Sequence, residues 1–175
     1  MYFQCPFNTN LFYDELKTDP NSGSLIVAFE YMESDRFTEA HNTISMMRED
    51  ASLNGLVLSS LFSKEFEEER EFTIRHLEVM QTAANLRNKF ALYSLGVYFD
   101  TGNYVDEDKD KACIYFRLAA ELGMIQAMHI YGIMLYYGTG GAPYNREAGL
   151  DMVTTCAELG YRDSENFLDY LKENK

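Results

Sequence analysis

Leu95-Gly96-Val97-Tyr98 and Tyr131-Gly132-Ile133-Met134 lie 36 positions apart and open two similar segments of this 175-residue chain. Each runs on to a second glycine, Gly102 or Gly138. Each closes on a matching end, Ala119-Ala120-Glu121-Leu122-Gly123 or Cys156-Ala157-Glu158-Leu159-Gly160. A period of this length means stacked supersecondary units rather than one irregular globule. It also favours binding over catalysis, because such stacks present extended surfaces to other macromolecules.

Working outward, apolar residues recur at helical spacing. Helix A of the first unit is expected at about 88–101 and helix B at about 109–122, joined by a loop that starts at Gly102. The second pair is expected at about 125–137 and 146–159, and a final helix at about 162–173. No stretch alternates as a strand would between hairpin turns. Upstream the repeat fades. Ala83-Ala84 precede Ala119-Ala120 by 36 positions and Ser60 precedes Gly96 by 36, but Phe66 occupies the place of Gly102. Leu25, Ala28, Phe29 and Met32 form one helical stripe; Phe37, Ala40, Ile44 and Met47 form another. Ser34-Asp35 between them is a turn and N-cap signal. A short helix is plausible at about 10–18, before the breaker Asp19-Pro20-Asn21-Ser22-Gly23.

The pattern is Ala91, Leu95, Gly96, Gly102, Asp108, Lys111, Ala112, Ala119, Ala120 and Gly123, then Ala127, Tyr131, Gly132, Leu135, Gly138, Arg146, Gly149, Cys156, Ala157 and Gly160. It resembles the Sel-one-like repeat, a relative of the tetratricopeptide repeat. The resemblance implies an all-α fold, a short right-handed α-solenoid of about four antiparallel helix pairs with end-capping helices. It divides one continuous domain into an N-terminal segment with a capping helix (1–21), degenerate pairs (22–87), two clear repeats (88–161) and a C-terminal cap (162–175). Members of the family are mostly adaptors and scaffolds. Secreted relatives carry paired cysteines within each repeat. Cys5, Cys113 and Cys156 form no such pairs and read as reduced, mostly buried thiols.

In such a solenoid the A helices line the concave side. Matching Gly96 and Gly132 to the signature glycine places Phe90, Tyr93, Val97 and Asp100 on that face. The next repeat adds Gln126, His129, Ile133, Tyr136 and Tyr137. Aromatic residues suit an interface, so this stripe is the candidate partner-binding surface. A competing expectation is that the N-terminal half folds back over it. A second candidate is the acidic patch of Glu65, Glu67, Glu68, Glu69 and Glu71, which also reads as a solvated helix start.

Charge narrows the partner. Lys and Arg number 15 against 28 Asp and Glu, for a formal charge of −13. That field repels nucleic acid and anionic membrane but steers in a basic protein. No signal peptide and no membrane span are apparent, so a cytoplasmic location is expected. No cofactor, metal or catalytic group is implied. Asp106–Asp110 fails as a calcium loop because Lys111 and Arg117 fall at its sixth and twelfth positions. Gly138-Thr139-Gly140-Gly141 lacks the Lys-Ser/Thr of a phosphate loop. His41, His76 and His129 have no metal spacing and read as surface or groove residues. The functional expectation is a non-catalytic protein-binding module, most concretely a bacterial immunity-type inhibitor of a toxin. A regulatory adaptor in signalling or secretion, or a hydrolase or binder of cell-wall-like molecules, are the alternatives.

Overall fold

The computed structural model describes residues 26–28, 30, 31, 34, 36–46, 53–60 and 66–174. Among them every regular element is a helix. The expected helix at 10–18, Cys5 and Glu65 lie outside the described residues. The chain divides into two compact units, Met1–Ser94 and Leu95–Lys175.

In the first unit, residues 26–28, 30 and 31 are helical. The helices α1 (Phe37–Met46), α2 (Leu53–Ser60) and α3 (Glu69–Asn85) follow, and α4 (Lys89–Thr101) begins. Ala28, Ala40 and Val57 are buried, and on α3 Phe72, His76, Met80, Ala83 and Ala84 are buried at the three- and four-residue steps of one helix face. Ser34 forms the expected turn, and Asp35 lies outside the described residues. The Ser34 hydroxyl and N–H both donate to the Glu30 carbonyl, at 2.9 and 3.1 Å, closing the preceding helix instead of opening α1.

The second unit contains the end of α4, then α5 (Lys109–Glu121), α6 (Ile125–Tyr137), α7 (Arg146–Glu158) and α8 (Arg162–Glu173). These bounds fall within a residue of those read from periodicity. Asp108 caps α5 by accepting the Lys111 N–H at 3.0 Å, and Asn145 caps α7 by accepting the Ala148 N–H at 3.1 Å. Each satisfies a donor that a helix start leaves orphaned. Mid-helix glycines sit where helices touch. A Cβ on Gly96 would lie 2.7 Å from the Phe116 ring, and one on Gly132 would lie 3.0 Å from Val153 Cγ2.

The backbone keeps the repeat where the side chains lose it. Helix α5 ends with the Gly123 N–H on the Ala120 carbonyl and the Met124 N–H on the Ala119 carbonyl, a Schellman pair. Helix α7 ends identically through Gly160 and Tyr161, and α3 through Arg87 and Asn88. The non-glycine residues with positive φ are Phe66 (62°), Arg87 (60°) and Tyr104 (65°). Each lies 36 positions before a positive-φ glycine, namely Gly102, Gly123 and Gly140. The left-handed corner is thus retained at a backbone cost that glycine would avoid.

Candidate interaction surfaces

The nine residues expected on the concave face separate into three groups. Phe90, Gln126 and Tyr136 are buried, at 2, 2 and 6% exposure, and are corrected from surface to interior. Helix α6 is apolar nearly all round, so the period that located its outer face did not decide which residues its neighbours cover. The buried Gln126 amide has no hydrogen-bond partner at either its nitrogen or its oxygen among the described residues.

A second group is occupied by neighbouring side chains. His129 Nδ1 lies 2.8 Å from Ser164 Oγ on α8. Phe167 of α8 meets the rings of His129, Tyr136 and Tyr137 edge-on, at 6.5, 5.7 and 6.2 Å. The cover at this end of the stripe is therefore α8. Burial holds the His129 imidazole below its ordinary pKa, with Asp163 opposing. Asp100 accepts from Lys109 Nζ at 3.1 Å, and this contact raises the lysine pKa. The third group remains partly open. Tyr93, Val97 and Ile133 are half-buried, and Tyr137 is 49% exposed.

The acidic patch also divides. The Glu67 side chain, 8% exposed, holds Arg75 through two oxygens, at 2.6 and 2.8 Å, so it is a paired structural group. Glu71 accepts the Glu68 N–H at 3.3 Å at the start of α3. Glu68, Glu69 and Glu71 are exposed, beside Phe66 at 95% exposure and Ile74 at 50%.

His76 is corrected from surface or groove to core. It is 1% exposed, stacks on Phe72 at 5.6 Å, and places Nδ1 3.0 Å from the Ser60 carbonyl. Burial lowers its pKa to about 4. The side chain of His41 lies outside the described residues. Cys113 and Cys156 are buried free thiols. No group of three or more His, Cys, Asp or Glu among the described residues is placed to hold a metal ion. No helix among them is long and apolar enough to cross a membrane.

One surface was not anticipated. Tyr136, Arg146, Leu150, Leu168 and Leu171 line a cleft of about 450 Å³ between α7 and α8. The Arg146 guanidinium lies 5.0 Å from the centre of the Tyr136 ring. A second cleft of about 430 Å³ shares Thr154, Leu168 and Lys172 with the first and continues to Glu158 and Glu165. The signal in the sequence was a pair of leucines, Leu168 and Leu171, spaced three apart so as to share one face of α8.

Residues 89–124 and 125–161 each match the Sel1 repeat, in agreement with the resemblance read from the sequence. No curated protein matches the chain. Among solved structures, a Sel1 repeat protein from Oxalobacter formigenes is similar over 91% of this chain and 47% of its own, with TM-score 0.62 and 14% identity. A protective antigen of uropathogenic Escherichia coli with an SLR fold is similar over 93% and 36%, with TM-score 0.63 and 19% identity. Helicobacter pylori cysteine rich protein B is similar over 81% and 95%, with TM-score 0.52 and 19% identity. The chain thus spans about half the length of the first of these and about a third of the second. The fold is all-α, of the helical-repeat type that these proteins share.

Proposed function

We propose that this chain is a non-catalytic protein-binding module whose partner is basic. The observation that carries the reading is the exposed mixture at the start of α3. There Glu68, Glu69 and Glu71, with Arg70 among them, lie close in sequence to the exposed Phe66 and Ile74, on a chain of net charge −13. Exposed apolar side chains beside a mostly acidic segment combine contact area with electrostatic selection.

The more specific form is an immunity-type inhibitor that neutralises a basic toxin domain. The same acidity supports it, because steering speeds the capture of a basic target. An adaptor would leave its partner active while bound, whereas an inhibitor would abolish the partner's activity at stoichiometric addition.

Affinity capture at about 50 and 300 mM salt tests the charge argument, since screening lengthens or shortens the field. The captured partner should be basic, and binding should weaken with salt. Glu69→Lys, which leaves the Glu68–Glu71 capping box of α3 in place, should weaken it severalfold, with the helical spectrum and urea unfolding showing that the variant is folded. An acidic partner, or indifference to both salt and charge reversal, would refute the proposal.

A further inference from the structure

The trough between α7 and α8 follows α7 from Arg146 to Glu158. Twelve helical steps make it about 18 Å long. Its chemistry changes along that length. At one end Arg146 makes no ion pair among the described residues and lies over the Tyr136 ring. The middle is floored by Leu150, Leu168 and Leu171. At the other end Glu158, Glu165 and Asp169 gather, with Lys172 tied to Asp169 at 2.7 Å.

The repeat itself argues against another helix in this place. Helix α7 is seated on α6 through Gly132, where the two backbones touch. The same register in α8, 37 positions later, carries Asp169, and that of Leu135 carries Lys172. A helix crossing α8 as α7 crosses α6 would meet an ion pair where α7 meets a glycine. An extended chain does not need that close crossing. At about 3.4 Å per residue, some six residues span the trough.

We infer that this trough binds a short extended segment of a partner protein, acidic at one end, apolar in the middle and basic at the other. A carboxylate at the first end meets the Arg146 guanidinium, whose planar fork takes both oxygens. Two large apolar side chains enter the leucine-lined cleft, whose volume falls in the range of ligand sites. A lysine or arginine at the far end faces Glu158 and Glu165. This inference concerns a surface separate from the start of α3 and does not depend on the overall charge of the partner.

The test uses the full chain and two fluorescein-labelled hexapeptides. One has glutamate first, two leucines in the middle and lysine last; the other is its reversed sequence. One order should bind and the other should bind much more weakly. Arg146→Gln should weaken binding about tenfold, and should have no effect on a peptide with glutamine in place of glutamate. Thr154→Phe fills the trough and should abolish binding, while urea unfolding reports whether the variant is folded. Glu69→Lys, far from the trough in sequence, should change nothing here, which separates this proposal from the previous one. Binding of neither order, or equal binding of acidic and glutamine peptides, would overturn the inference. So would sedimentation showing a dimer that Leu150→Asp dissociates, because the occupant would then be a second copy of this chain.

Discussion

Gly149 of α7 lies so close to Gly132 of α6 that a Cβ built on it would strike the Gly132 carbonyl oxygen and sit 2.6 Å from the Tyr136 backbone nitrogen. The obstacle is backbone, which has no rotamer to yield. Gly149→Ala improves helix propensity by about 1 kcal/mol, but the helices must separate, at a cost of roughly 2–4 kcal/mol. The variant should lose stability in urea unfolding by that difference or more. A midpoint equal to that of the parent would show that α6 and α7 can part without loss.

The corners make the opposite prediction. Arg87 is exposed and has φ 60°, in the place that Gly123 fills one repeat later. Arg87→Gly relieves about 1–2 kcal/mol of left-handed strain and costs about 0.5–1 kcal/mol in unfolded-chain entropy. The net expectation is a gain of roughly 0.5–1 kcal/mol, read as a higher urea midpoint. Phe66→Gly should behave in the same way. Tyr104→Gly should not, because Tyr104 packs edge-on against Tyr98 at 4.9 Å.

His76 gives a pH dependence. Its folded pKa, about 4, lies below the ordinary 6.5 because burial disfavours the charged ring. Between those values the unfolded chain takes up a proton that the folded chain refuses, so stability falls as pH drops from about 6.5 to about 4 and levels below it. The shift corresponds to at most about 3 kcal/mol. His76→Leu should flatten this part of the profile. An imidazole resonance titrating near 6.5 in the folded protein would contradict the assignment.

Tyr136 and Tyr137 are neighbours with different prospects. Tyr136 is 6% exposed and Tyr137 is 49% exposed. Tyr136→Ala should cost roughly 3–5 kcal/mol, as other buried aromatic truncations do. Tyr137→Ala should cost about 1 kcal/mol or less, and partner binding should suffer instead. Similar losses of stability in the two variants would place both rings in the core.

The second unit was legible because its signals are local. Glycine at a corner, Asp108 or Asn145 at a helix start, and an apolar stripe between them each act within a few residues. The eroded corners were not, since Phe66 and Arg87 adopt glycine's conformation without glycine's name. The candidate surface was legible only by half. Periodicity put Gln126, His129 and Tyr136 on one side of α6, but whether that side meets solvent depends on α8, contributed from more than 20 residues away. Contacts of that range leave no mark in helical spacing. For the same reason the burial of His76 against Ser60, 16 residues distant, was missed.

The corners carry one more consequence. A Cβ at Gly123 or Gly160 would meet nothing within 4 Å, and Phe66 and Arg87 already project into water from the same conformation. All four positions have room for a foreign side chain, dye or reactive handle outside the packing, but at Gly123 and Gly160, with φ of 77° and 82°, any side chain adds about 1–2 kcal/mol of left-handed strain. Arg87, exposed and outside the surface proposed to bind, is the natural point of attachment for a label that reports on binding while leaving the helices undisturbed.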